Sequence, residues 1–256
     1  MEVQRSFLLA RKDFFADFSN SLELYISSFF TELGPNLELK YTRSKGPSGS
    51  TYRKITLDKS LAFVQKVSQK ISKEEWLKHK QHKIGASIKK RRLCFKINSL
   101  PAFLDSYEAG FDLLKIYFDT LEQSLAFDAS RFGASLDISS DIRYKSPALA
   151  LFKGLIKQAE LLPKLRLALV KLKKSIAQDT ATASLLHKKV VQKPSRKSRL
   201  HALRIFYLLQ LDAKLYDAGT LSSLSKDFSI FLSQGKSEDL ITNLYAVLGE
   251  NAFYKA

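Results

Sequence analysis

The chain has 256 residues, enough for one large domain or two modest ones, and its 45% hydrophobic and 26% charged content excludes disordered and fibrous classes. Its 42 Lys and Arg against 25 Asp and Glu give a net charge of +17. That excess favours polyanionic partners through counterion release, and it says nothing about fold. Cys94 is the one cysteine, which excludes an internal disulfide framework and a cysteine-based zinc site.

The opening MEVQRSFLLARKDFF holds an apolar patch too short for a signal-peptide core, and no apolar run reaches the roughly 18 residues of a membrane span. A cytoplasmic protein is the expectation. Val3 to Leu33 reads as a long helix, with Phe15, Phe18, Leu22, Ile26, Phe29 and Leu33 at 3–4 spacing until Gly34-Pro35 stops it. Its polar face mixes Asp13, Asp17, Glu23 and Glu32 with few bases, unlike a membrane-surface helix. Residues 37 to 57 alternate around Lys45-Gly46-Pro47-Ser48-Gly49 and suggest a small β-hairpin or a flexible loop. Lys40, Arg43, Lys45, Arg53 and Lys54, interleaved with Tyr41 and Tyr52, make a basic ribbon able to dock on a phosphate backbone. A solvated hairpin explains the same residues.

Asp58 to Ile71 reads as a helix, and Ser72-Lys73-Glu74-Glu75 is a capping box opening another. From Lys78 to Lys96 the chain has no acid, and Lys83, Lys89, Lys90, Arg91 and Arg92 are its candidate phosphate contacts, with a solvated charge run as the alternative. Ile84-Gly85-Ala86-Ser87 reads as a turn there, and His79 and His82 lack a third metal ligand. Ser99 to Asp128 carries the strongest periodic signal: Leu104, Tyr107, Phe111, Leu114, Phe118, Leu121 and Leu125 fall at 3-4 spacing. The spacing predicts a long central helix, with Asp105, Glu108, Asp112, Asp119 and Glu122 on a further face as a solvated or ion-pairing stripe. No Glu-x-x-His accompanies those acids, so no metal is expected.

Residues 129 to 145 read as irregular, followed by helices over Pro147–Leu162 and Pro163–Ala177. Residues 188 to 199, KKVVQKPSRKSR, read as a basic linker in which Lys193, Arg196, Lys197 and Arg199 could follow a phosphate backbone. Helices over Leu200–Asp217, Ser222–Leu232 and Glu238–Leu248 close the chain. Their last pair has helix-turn-helix lengths, but the last helix carries no Lys or Arg.

RIFYLLQLDAK followed by DFSIFLSQGKSEDLITNLYAVL resembles the C-terminal helical segment of RteC-type regulators of Bacteroides conjugative elements, over about fifty residues around Gly235-Lys236-Ser237-Glu238. The resemblance implies a cytoplasmic DNA-binding regulator associated with mobile elements.

The expected fold is mainly α: a helical bundle around the long central helix 100–127, with a small hairpin at 37–57 and a C-terminal three-helix unit. The expected division is a helical core over 1–187, a linker over 188–199 and the three-helix unit over 200–256. The expected function is nucleic-acid binding, DNA favoured over RNA, and the alternative is a helical adaptor for an acidic protein partner. A membrane partner is disfavoured. No Walker loop, G-x-S-x-G, H-E-x-x-H or dinucleotide fingerprint occurs, so neither an enzyme nor a cofactor is expected. Cys94, between Leu93 and Phe95, reads as a small buried hydrophobe, with a reactive thiol as the alternative.

Overall fold

The computed structural model describes residues 3–10, 21–60, 64–185, 193–211 and 218–248, and its first half is strand where the sequence predicts helix. Among the described residues, nine strands form one antiparallel sheet. They are β1 (Val3–Leu9), β2 (Leu22–Leu33), β3 (Leu37–Gly46), β4 (Gly49–Asp58), β5 (Gln65–Lys70), β6 (Ile84–Ile97), β7 (Leu100–Tyr107), β8 (Phe111–Phe118) and β9 (Ala134–Asp137). The strand order is β5-β4-β3-β2-β6-β7-β8-β1-β9. The helices are α1 (Lys73–Lys80), α2 (Leu121–Ala126), α3 (Ser146–Phe152), α4 (Leu161–Leu185), α5 (Arg196–Leu211), α6 (Ala218–Gln234) and α7 (Glu238–Leu248).

The mainly-α expectation is therefore corrected, and the central helix 100–127 with it. That stretch is β7, a tight turn at Glu108-Ala109-Gly110, β8 and the short α2. Its 3-4 spacing has another origin. Tyr107 and Phe111 are four apart because they face each other at the end of a hairpin, their rings stacked with centroids 4.6 Å apart. Both sheet faces are buried, so period-two alternation is lost. Phe111 and Leu113 pack toward the helices, while Leu114, Ile116 and Phe118 pack on the other side with Phe7, Phe95 and Ala102.

The N-terminal helix over Val3 to Leu33 is likewise β1 and β2, with residues 11–20 outside the described ones. Bulges in β2 interrupt its pairing with β3 and β6 near Phe29 and Phe30, and these two neighbours are fully buried in different clusters. The helix expected over Asp58 to Ile71 is, in its described part, the strand β5, with residues 61–63 outside the described ones, and residues 84–87 begin β6 instead of making a turn. The hairpin at 37–57 exists, as β3 and β4 inside the sheet and not as an insertion on a helical core. Ser72 does cap α1, accepting a hydrogen bond from the Glu75 amide at 3.0 Å. The helix expected over Pro147–Leu162 ends with α3 at Phe152, and Pro163 lies in the first turn of α4.

The sheet is curled. Lys40 on β3 and Lys115 on β8 lie four strands apart, about 19 Å in a flat sheet. Lys40 is buried and the Lys115 charge also bears on it, both lowering its pKa, so the sheet curls to bring the two residues onto one concave face. One end of the concave face carries Phe30, Ile88 and Tyr107, which join α3 to α7 in the largest apolar cluster. Phe206, Phe228, Phe231, Leu240 and Leu244 extend that cluster through the helices. Gly85 lies where β6 meets α3: its φ is +71°, and a Cβ there would lie 2.8 Å from the Ala150 carbonyl carbon.

Candidate anion-binding site

Strand alternation places Lys90 and Arg92 of β6, Asp105 of β7, Lys115 of β8 and Lys40 of β3 on the concave face. Asp105 has no solvent exposure and takes three cations at once. Lys90 Nζ lies 2.6 Å from Oδ2, Arg92 Nε 2.6 Å from Oδ1 with a second guanidinium bond of 2.8 Å, and Lys115 Nζ 3.3 Å from Oδ2. The guanidinium also stacks over Phe103 at 4.5 Å, and Lys90 lies 5.2 Å from the Tyr107 ring centre.

The charges do not balance. Three cations on one carboxylate leave two positive charges over, and Lys40 adds a third. Burial and the neighbouring cations show it: Lys40 falls to about 8, first because it is buried and then because Lys115 and Arg92 oppose its charge. Burial lowers Lys90 and Lys115 as well, against the pull of Asp105. Burial by itself would raise Asp105, but the Arg92 hydrogen bond and the two lysines hold it well below the usual carboxylate range. Burial and the Asp105 charge push the Tyr107 phenol up. The side chains of Lys90, Arg92 and Lys115 keep 12–19% of their surface exposed, so donors remain for an anion inside the cup.

Toward the helices, a cleft of about 430 Å³ is lined by Lys40, Lys59, Lys145, Ser146, Tyr207 and Glu38. Lys40 Nζ lies 3.4 Å from Ser146 Oγ at the start of α3. Glu38 is buried, pairs with Lys59 and accepts from the Tyr207 hydroxyl at 3.4 Å, tying α5 to β3. Cys94 is half-buried on the same concave face, where burial pushes its thiol up, away from the thiolate a nucleophile needs.

The residues expected to contact phosphate are scattered. Lys40, Arg53, Lys90 and Arg92 share the concave face, while Arg43, Lys45, Lys54, Lys89 and Arg91 point to the opposite side. Lys83 precedes β6, and its carbonyl accepts from Arg196. Lys193 lies just before α5, whose first turn holds Arg196, Lys197 and Arg199; Arg199 pairs with Glu32 at 3.5 Å. Part of the expected linker is thus helix, and residues 188–192 lie outside the described ones. The five acids expected on one helix face are also separated: Asp105 is central, and Glu108 pairs with Lys89 at 3.3 Å across the turn. Lys115, Glu38 and Asp105 as a charge hub escaped the sequence reading. The available signal was the alternation Lys90-x-Arg92, Phe103-x-Asp105-x-Tyr107 and Lys115-x-Tyr117.

Backbone anchoring of DNA is corrected on these grounds. The bases expected to form a phosphate-backbone surface are instead divided between the two faces of the sheet and the start of α5. Among the described residues, no group of three or more His, Cys, Asp or Glu could hold a metal ion, and no helix is long and apolar enough to cross a membrane.

No family model and no curated protein matches the chain. Solved structures similar to it include an inorganic triphosphatase, 20% identical, with 59% of this chain and 94% of that one covered at a TM-score of 0.46. A protein of Pyrococcus horikoshii OT3 is 11% identical, with 60% and 99% covered at a TM-score of 0.43. A conserved hypothetical protein of Pyrococcus furiosus is 18% identical, with 53% and 92% covered at 0.38.

Proposed function

We propose that the concave face binds a short linear oligophosphate. The observation that carries this reading is the convergence of Lys90, Arg92 and Lys115 on one buried carboxylate, with Lys40 facing them from the opposite wall. A single small anion would meet one part of this field, whereas a phosphate chain presents charge along its length and can reach Lys40 and Lys115 together. Arg92 supplies a planar fork and the lysines compact point charges, the pair of donor types that phosphate oxygens accept best.

Calorimetric titration with inorganic triphosphate and orthophosphate tests it. Triphosphate should bind at least tenfold more tightly than orthophosphate, and Lys40→Gln and Lys115→Gln should each weaken it about tenfold, roughly 1.4 kcal/mol. Equal affinities for the two anions, or unchanged binding in both variants, would sink the reading.

The pH dependence has a defined sign. Lys40 is charged below about 8 and loses its proton above. Affinity should therefore fall by about twofold from pH 7 to 8 and then by up to about tenfold per pH unit. Lys40→Gln should flatten that profile.

A second reading, phosphoanhydride hydrolysis, is favoured by the same lysine, because a group titrating near neutral pH can exchange a proton with a reacting one. Orthophosphate release that disappears in Lys40→Gln would support it; triphosphate recovered intact leaves binding as the function.

A further inference from the structure

On the outside of the sheet, β3, β2 and β6 carry a second basic array that the concave site does not use. The register sets Lys45, Tyr25 and Arg91 in one row across the three strands, and Arg43, Ser27 and Lys89 in the next. Strand geometry puts the two cations of a row about 10 Å apart and successive rows about 7 Å apart, so four cations mark the corners of a rectangle. Tyr25 is 58% exposed at its centre, and these six residues line a shallow groove of about 380 Å³. One end of the rectangle is closed by the apolar group of Phe29, Tyr41 and Trp76 under α1.

Acids bound the array elsewhere. Glu23 precedes Tyr25 on the same face and lies 3.4 Å from Arg91, and Glu108 lies 3.3 Å from Lys89. Both pairs are well exposed, so each contributes little and exchanges readily for an incoming carboxylate. A continuous polyanion running along the strands would meet Glu23 immediately beyond the rectangle. A short segment with two acidic positions would not.

We infer that this outer rectangle docks an extended acidic segment of a partner protein. In an extended chain, residues i and i+2 project from one side about 7 Å apart, the spacing of Arg43 to Lys45 and of Lys89 to Arg91. Carboxylates at those positions meet the corner cations, and the peptide's apolar stems lie on the Tyr25 ring. The surface is separate from the oligophosphate site, since these corner side chains point to the opposite side of the sheet.

The probe is a short labelled peptide alternating glutamate and valine, followed by fluorescence anisotropy in low salt. Its glutamine counterpart, a single-stranded oligonucleotide and phosphatidylserine vesicles are the comparison arms. The glutamate peptide should bind at least tenfold more tightly than its glutamine counterpart. Arg43→Glu combined with Arg91→Glu should weaken it at least tenfold, and the milder Lys45→Gln with Lys89→Gln about threefold to tenfold. Triphosphate binding should stay within twofold in both variants, which also reports that they fold. The inference is overturned if the peptide binds both variants as it binds the parent, or if the oligonucleotide or vesicles bind more tightly than the peptide.

Discussion

Asp105→Asn should unfold more easily by about 3–5 kcal/mol and should become dependent on added anion. The carboxylate is wholly buried and compensates Lys90, Arg92 and Lys115 together, so its loss leaves three partly buried cations with no counter-charge. Asparagine keeps the shape and offers one acceptor, but none of the charge. Urea unfolding at pH 7 should give a lower midpoint at an unchanged slope. Millimolar triphosphate should then recover more stability in the variant than in the parent, because the anion supplies the missing charge as well as its own binding energy. The sign with pH is also set. The folded carboxyl is held below its unfolded value, so its contribution is complete above the unfolded pKa and is lost only as pH falls through the folded one. Neutral pH is therefore the correct place to measure it. A variant as stable as the parent would refute the charge hub.

Gly85→Ala should cost about 3 kcal/mol or more, the largest effect expected of any single methyl group in the sheet. Two terms add. The backbone is left-handed at φ +71°, which costs a side chain about 1 kcal/mol. The new Cβ would also press on the Ala150 carbonyl carbon at 2.8 Å and the Leu151 amide nitrogen at 3.3 Å, both main-chain atoms of α3 that cannot swing aside. Gly49 is the matched control: its φ is +106°, yet nothing lies within 4 Å of a Cβ built there. Gly49→Ala should therefore show the conformational term alone, about 1 kcal/mol. If thermal denaturation found the two substitutions equal, the close approach of α3 to β6 would contribute nothing.

Sequence reading succeeded where one face of an element meets solvent. The Ser72 cap was legible from its capping-box residues, and the final helix over Glu238–Leu248 because its side chains alternate between wet and dry at helical spacing. It failed in β8 because that strand is dry on both faces. Leu113 faces the helices and Leu114 the opposite cluster, so adjacent apolar residues erased the period of two. The concave site was half-legible for a related reason. Lys90 and Arg92 stood out as charge, yet in sequence they sit inside a run with Lys89 and Arg91, which belong to the other side of the sheet. Lys115 and Asp105 lay inside what read as a helix, and only the strand register brings them to Lys90.

The N-terminal strand joins the sheet by a long detour. Val3 lies opposite Phe118, and Phe7 opposite Asp137, so β1 has no partner until β8 and β9 exist. At ribosomal rates this strand waits on the order of ten seconds before its neighbours emerge. Such distant pairings also slow the search for the native arrangement. Throughout that interval Phe7 and Leu9, later buried, are open to other chains. β1 is thus open to misassembly until β8 and β9 have been made, and a chaperone that shields Val3–Leu9 over that interval would shorten the hazard without touching the finished fold.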